Sequence, residues 1–457
     1  MAWPLTLGSV SFAIMDFTDK YFVAQLGPSE LAAVGSAGLW TYTLGVFFVH
    51  LAACVSTFVS QSLGRQRKED CASYAWQGIY VSISAGAFAV LLWPIVPTLF
   101  TLMGHATDVT RLETEYMQIR LLGFLFIAWQ TALASFFTAI GRPVIPMCVS
   151  VFADMLNLLL AWSLVFGHLG FPRLEIAGAA WATVASLTVQ TLVLQMIFMS
   201  KPLHEEYGTR QAYRPNAVRL RELLRIGWPS GVTSFLDWAA GALITSAIIG
   251  GGGRTVHLAA HTAAVSFMHL SSLPVMGLGQ ATTAITGRWI GAGETGIAKA
   301  RAYTAMRLGM GFMAVSGLVS VVLGKQLMSL MTSDPEVIRL GRVVLICGAV
   351  FATFDAISMV LAGALRGAGD TRWTMWIQLL GSFFVLLPVA YFFARVLDWG
   401  VTGAWMGGTL YVVLLSLVIL RRFHGERWKH IVIFEEDRPK TRDDGVAATV
   451  QGDPATP

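Results

Sequence analysis

Asp19, Asp154, Asp237 and Asp355 each interrupt a long apolar run of this 457-residue chain. A carboxylate ionised at the centre of a bilayer costs about 2.5–3.5 kcal/mol on insertion scales, so such a group faces the protein interior or a water-filled cavity. The natural reversible ligands for it are a proton or a small cation. The sequence therefore nominates Asp237, Asp355 and Asp19 for cation coupling, with Na+ a candidate ion at Asp237 and Asp355. The competing reading for each is a hydrogen bond to a neighbouring helix, with no transported ion. Asp154 and Asn157 stand three residues apart and share a helix face, a spacing suited either to a possible cation site or to joining helices. Asp16 lies four residues before Lys20 and is expected to pair with it.

Other chemistry finds little support. Cys54, Cys71, Cys148 and Cys347 are scattered singly, which suits neither a disulfide framework nor a zinc cluster. His257 and His261 have helical spacing, but Leu-Ala-Ala between them lacks the glutamate of a zinc protease helix, so packing or pore lining is favoured over metal binding. Gly324-Lys325 is followed by Gln326 in an apolar segment and makes no phosphate-cradling loop. No catalytic residues and no cofactor are expected, and the chain reads as a non-enzyme.

The elements that must position these acids follow from composition. With 55% hydrophobic residues, 13% charged residues and a mean hydropathy of +0.62, far more apolar side chain is present than one core can hide. Apolar runs recur near the length of about 20 residues that a helix needs to cross hydrocarbon. Twelve are expected, at 2–24, 30–62, 72–100, 112–140, 143–168, 174–200, 222–250, 256–287, 300–332, 336–366, 372–396 and 400–423. They lack the two-residue alternation of barrel strands, and a helix satisfies its own backbone in lipid. The fold class is an all-α membrane protein.

The chain also repeats itself. A shift of 227 positions carries Leu31-Ala32-Ala33 onto Leu258-Ala259-Ala260 and Gly64 onto Gly291, and a similar shift sets Trp3-Pro4 beside Trp228-Pro229 and Ile176-Ala177-Gly178-Ala179 beside Val401-Thr402-Gly403-Ala404. Six helices per repeat is an even number, so the halves enter from the same side and form two lobes related by a pseudo-two-fold axis along the membrane normal. The expected divisions are an N-lobe at 1–200, a linker at 201–221, a C-lobe at 222–425 and a polar, largely disordered tail at 426–457. Arg65, Arg67, Lys68, the basic residues of the linker, Lys299, Arg301, Arg421 and Arg422 all fall on one side of this scheme, which makes both termini cytoplasmic. The net charge of +5 is then a matter of topology and calls for no nucleic-acid partner.

Several segments together are similar to the multidrug and toxic compound extrusion (MATE) transporters, in particular the NorM-like branch. They are Met15-Asp16-Phe17-Thr18-Asp19 with Val23-Ala24-Gln25-Leu26-Gly27, the stretch from Asn157 to Gly167 with Gly178-Ala179-Ala180-Trp181-Ala182-Thr183, and Gly363 through Thr371. The resemblance covers about residues 1–425 and implies a two-lobed bundle in the bacterial inner membrane, acting as a monomer among membrane lipids. It further implies export of small organic cations or amphipathic drugs in exchange for Na+ or H+. Asp19 matches the family's first-helix acid, implicated in N-lobe coupling, and Asp237 and Asp355 match acids associated with C-lobe cation binding. Asn157 matches a polar family position, whereas the polar residue often found four further on is Ala161 here, with Asp154 one turn earlier as a candidate substitute. Trp40, Phe235 and Trp238 are the aromatic candidates for a substrate cleft. The alternative function is a lipid-linked-oligosaccharide or other lipid flippase of related fold, which would want a more cationic cavity than these acids provide.

Overall fold

The computed structural model describes residues 2–103, 107–250, 255–425 and 427–437. Twelve long helical segments make up nearly all of them, and no strand occurs among the described residues. In the first half α1 is Ala2–Ala24, α2 is Pro28–Ala53 continued by Val55–Gly64, and α3 is Lys68–Met103. There α4 is Thr107–Leu121 and Gly123–Ala139 joined at a 42° bend, α5 is Val144–Phe166 and α6 is Glu175–Phe198. A short linker helix, Lys201–Tyr207, leads to the second half. There α7 is Ala217–Leu243 continued by a π-turn at Ile244–Ile249, α8 is Thr255–Gly291, and α9 is Thr295–Val322 followed by Gly324–Met331. Finally, α10 is Pro335–Ala368, α11 is Thr371–Val396 and α12 is Gly400–His424. The twelve expected spans are all present, with ends displaced by a few residues.

Local chemistry sets several of these ends. Asn216 caps α7 by accepting from the Val218 and Arg219 amides at 3.0 and 3.2 Å, and Asp334 caps α10 by accepting from the Glu336 amide at 2.8 Å, with Pro335 in the first helical position. Gly167 and Gly369 end α5 and α10 in the left-handed region, with φ of 78° and 86°, where a side chain is strained. Pro229 and Pro274 lie inside α7 and α8.

Among the described residues, eight segments are long and apolar enough to cross a membrane, or nine with bent α4 counted as one. The three that fall short, α1, α7 and α8, line the seam between the lobes: α1 packs on α8 and α2 on α7. Polarity concentrates where protein, not lipid, is the neighbour.

The seam is tightest at the end of the bundle that carries the basic residues, called the basic end below. A Cβ built on Gly64 would lie 2.1 Å from the Arg288 carbonyl, and one on Gly291 2.1 Å from the Gln61 carbonyl, so only glycine lets α2 and α8 cross there. The two glycines are repeat counterparts, and the contact is symmetric. Gln61 Nε2 also donates to the Gly367 carbonyl at 2.8 Å, and Thr57 Oγ1 to the Arg366 carbonyl at 3.0 Å. Gly178 in α6 and Gly403 in α12 likewise meet backbone of the preceding helix in their own lobes. The repeat read from sequence is thus a repeat of contacts.

The start of the expected disordered tail is folded. Trp428 is buried flat on Phe423 with ring centroids 4.9 Å apart, and its indole donates to the Phe423 carbonyl at 2.7 Å. The chain then crosses the basic end. Ile433 fills the space over Gly369 of the C-lobe, and Phe434 sits edge-on to Phe58 and Tyr74 of the N-lobe, with the Arg65 guanidinium 4.0 Å from its ring centre. Arg65 pairs with Asp437 at 2.6 Å, Arg67 pairs with Glu436, and the Glu222 carboxylate of α7 accepts from both the Tyr74 hydroxyl and the Glu435 amide. Residues 427–437 therefore form a strap tying the C-lobe to the N-lobe. The remaining tail, 438–457, lies outside the described residues, as does Glu426.

Candidate ion and cargo sites

In the C-lobe, α7 carries Asp237 and α10 carries Asp355, close enough for their charges to act on one another. Asp237 Oδ1 accepts a hydrogen bond from Gln378 Nε2 of α11. Tyr411 of α12 lies within the field of both acids, and its hydroxyl is 3.2 Å from Ser382 Oγ of α11. Four helices thus converge on the pair. Asp237 sits deep among protein atoms yet keeps exposed surface, and Asp355 is half-buried. Neither is sealed in dry packing. Arg366, near the basic end of α10, also acts electrostatically on Asp237.

Beside this site, Trp238 and Phe235 are exposed on α7, and Trp238 meets Tyr42 of α2 edge-on at 4.5 Å between ring centres. That contact carries the aromatic surface across the seam. Trp40 behaves differently, for it is half-buried and packs against the N-lobe core.

In the N-lobe, Asp19 of α1 stands beside Asn157 of α5 and Thr183 of α6, with Arg120 of α4 in electrostatic reach. Asn157 Nδ2 donates at 3.4 Å to both Thr183 Oγ1 and Ser186 Oγ. Asp19 Oδ1 and Asn157 Oδ1 are buried and have no hydrogen-bond partner among the described residues. A pair of buried oxygens without donors is the arrangement a cation or proton would satisfy. Asp154, also buried, turns instead toward Ser11 of α1 and Ser150 of its own helix, so the structure joins Asp19 to Asn157 and sets Asp154 one turn away. Asp16 pairs with Lys20 at 2.6 Å.

Sequence reading missed Gln378, Ser382, Tyr411, Thr183 and Ser186. The signal was there: the residue numbers of Asn157 and Ser382 differ by 225, as do those of Ser186 and Tyr411, the same shift that separates Trp3 from Trp228. The hydrogen-bonded pair on α5 and α6 therefore has its counterpart on α11 and α12. Among the described residues no three His, Cys, Asp or Glu side chains converge as a metal cluster, so a cation at either acid site would be completed by neutral oxygens. His261 instead bonds Thr245 Oγ1 at 3.0 Å and accepts from Trp405 Nε1 at 3.1 Å, and His257 accepts from the Val401 amide at 3.2 Å. Both histidines hold helices together.

The family model described as MatE matches residues 4–163 and 229–392, one stretch in each lobe. The chain belongs to the MATE family of transporters. A probable multidrug resistance protein NorM of Brucella suis biovar 1 is 31% identical over 439 residues, covering 92% of each chain. One of the same description from Bacillus cereus is 26% identical over 430 residues, covering 93% of this chain and 94% of that one. Among solved structures, an outward-facing multidrug resistance MATE family transporter of the MOP superfamily superposes with a TM-score of 0.85 at 21% identity, over 93% of this chain and 95% of that one, and shows the shared fold. Membership places this MATE protein among transporters and not among enzymes.

Proposed function

We propose that this chain is a secondary active multidrug efflux antiporter, exporting cationic or amphipathic organic compounds in exchange for Na+ or H+ by alternating access. The observation that carries the reading is the C-lobe acid pair: Asp237 and Asp355 share one field, and Asp237 keeps exposed surface beside the aromatic face of Phe235, Trp238 and Tyr42. A carboxylate there can hold a coupling cation or the cationic group of a cargo, and the two exclude each other. Such competition links two flows, because each ligand needs only a different affinity for the two states of the carrier. Asp19 with Asn157 supplies a second acid site in the N-lobe.

The basic end is the cytoplasmic side in this proposal, with both termini on it, in the bacterial inner membrane. The Gly64–Gly291 crossing and the strap close that end in the described state. N-lobe, linker and C-lobe divide as 1–200, 201–221 and 222–425, and the monomer is the working unit.

The test is efflux from proteoliposomes with sodium and proton gradients imposed separately. Export driven by one gradient and abolished by its collapse is the expected result. Equal export with neither gradient would overturn the antiport reading.

A further inference from the structure

On the outer surface of the C-lobe, α9 and α12 leave an open groove at the basic end, with a volume of about 760 Å³. Its lining pairs cations with apolar side chains: Lys299 and Arg307 from α9, Arg421 and His424 from α12, and Leu417 and Leu420 below them. The floor is ordered. Tyr303 packs edge-on against Phe423 at 5.4 Å, its hydroxyl is 3.4 Å from His424 Nδ1, and Lys299 Nζ donates to the His424 carbonyl at 3.4 Å.

The depth of the groove is marked by its neighbours. On α9 the exposed apolar face begins at Leu308 and continues through Phe312, Val315 and Leu318, immediately after exposed Arg307. On α12 the exposed face of Leu410, Leu414, Leu417 and Val418 ends just before exposed Arg421. Both arginines therefore stand at the boundary between hydrocarbon and headgroups, pointing out of the protein. Among the described residues neither forms an ion pair with a carboxylate. A guanidinium at that boundary reaches the level of the lipid phosphates, which offer it a counter-charge.

We propose that this groove is a binding site for an anionic glycerophospholipid, with the phosphodiester between Arg307 and Arg421 and one acyl chain along Leu417 and Leu420. Arginine forks match phosphate oxygens, and basic pockets between membrane helices on the positive side hold anionic headgroups. The inference is independent of the transport reading. It also places a lipid against the last turn of α12, directly before the strap begins.

The full-length chain, purified and delipidated, tests it against phosphatidylglycerol, phosphatidylcholine and inorganic phosphate. Phosphatidylglycerol is expected to raise the thermal unfolding midpoint and to stay bound in native mass spectrometry, with phosphatidylcholine and inorganic phosphate doing neither. Arg307→Ala with Arg421→Ala is expected to weaken phosphatidylglycerol retention roughly 30-fold, which corresponds to about 1 kcal/mol for each cation removed. Arg307→Lys with Arg421→Lys is expected to keep most of it. A photoactivatable phosphatidylglycerol on the wild-type chain is expected to label peptides containing Arg307 and Arg421, a readout that does not need the alanine variant to fold. Equal stabilisation by phosphatidylcholine, the same effect from inorganic phosphate, undiminished retention in the alanine variant, or labelling confined to other helices would each overturn the site.

Discussion

In the N-lobe, Asn157 and Ser186 join α5 to α6; in the C-lobe, Ser382 and Tyr411 join α11 to α12 at the equivalent positions. The acids do not follow that correspondence. The shift of 225 takes Asp19 to Ile244 and brings Asp237 back to Phe12. In the N-lobe a single carboxylate stands beside Asn157 and Thr183 with one oxygen buried and unbonded, whereas in the C-lobe two carboxylates lie within electrostatic reach, one of them bonded by Gln378 and keeping exposed surface. The lobes share a scaffold and differ in charge. Packing was duplicated, and the acids were placed separately in each half.

If the C-lobe is where cargo and ion meet, its acids carry the largest effect. Asp237→Asn and Asp355→Asn are each expected to lower gradient-driven efflux by roughly 5- to 150-fold, the span of ordinary coupling energies, with the fold retained. Asp19→Asn is expected to change the ion dependence more than the cargo preference. Efflux assays across a panel of cations would show this, and identical profiles for Asp19→Asn and Asp237→Asn would erase the distinction between the lobes.

The contact the lobes share comes next. Gly64→Leu forces a side chain into the backbone of α8 and is expected to destabilise the protein by about 1–3 kcal/mol or to part the lobes at the basic end. Thermal unfolding, with Gly296→Leu at an open position as the control, reads the difference.

The strap offers a gentler way to loosen the same end. A chain ending at Gly425 is expected to remain folded but to expose Cys54, a buried thiol of α2 that lies 3.9 Å from the Ile226 carbonyl of α7 across the seam. Its alkylation rate, with the other three cysteines replaced by serine or alanine, should rise; an unchanged rate would mean the strap does not hold the seam. The smallest effects belong to the shared scaffold: Ser186→Ala and Ser382→Ala are each expected to cost about 0.5–1.5 kcal/mol and to do so similarly in the two lobes.

Much of this was legible because a bilayer imposes one length and one polarity on every spanning helix. The twelve spans, the repeat of Gly64 at Gly291 and the placement of Asp19 and Asp237 inside apolar helices all follow from that constraint. Gln378, Tyr411 and Thr183 did not stand out, since a neutral polar residue in an apolar helix is ordinary until a second helix brings its partner. Trp40 was read toward the cleft because an aromatic in a membrane helix has several homes, and only packing chooses among them. The strap was hidden by its company: charged residues, Thr and Pro make up much of the tail, while Trp428 and the run Ile431-Val432-Ile433-Phe434 were the sign that it docks.

The crossing of α2 and α8 binds the two halves of the gene to one another. Gly64 has no room because of the helix that carries Gly291, and Gly291 has none because of the helix that carries Gly64. A bulkier residue in either copy is therefore a defect that its own repeat is powerless to relieve, and the ancestral residue at this point must be inherited twice over. Gly178 and Gly403 are constrained by neighbours within their own lobes, whereas at Gly64 and Gly291 the constraint on each copy comes from the other.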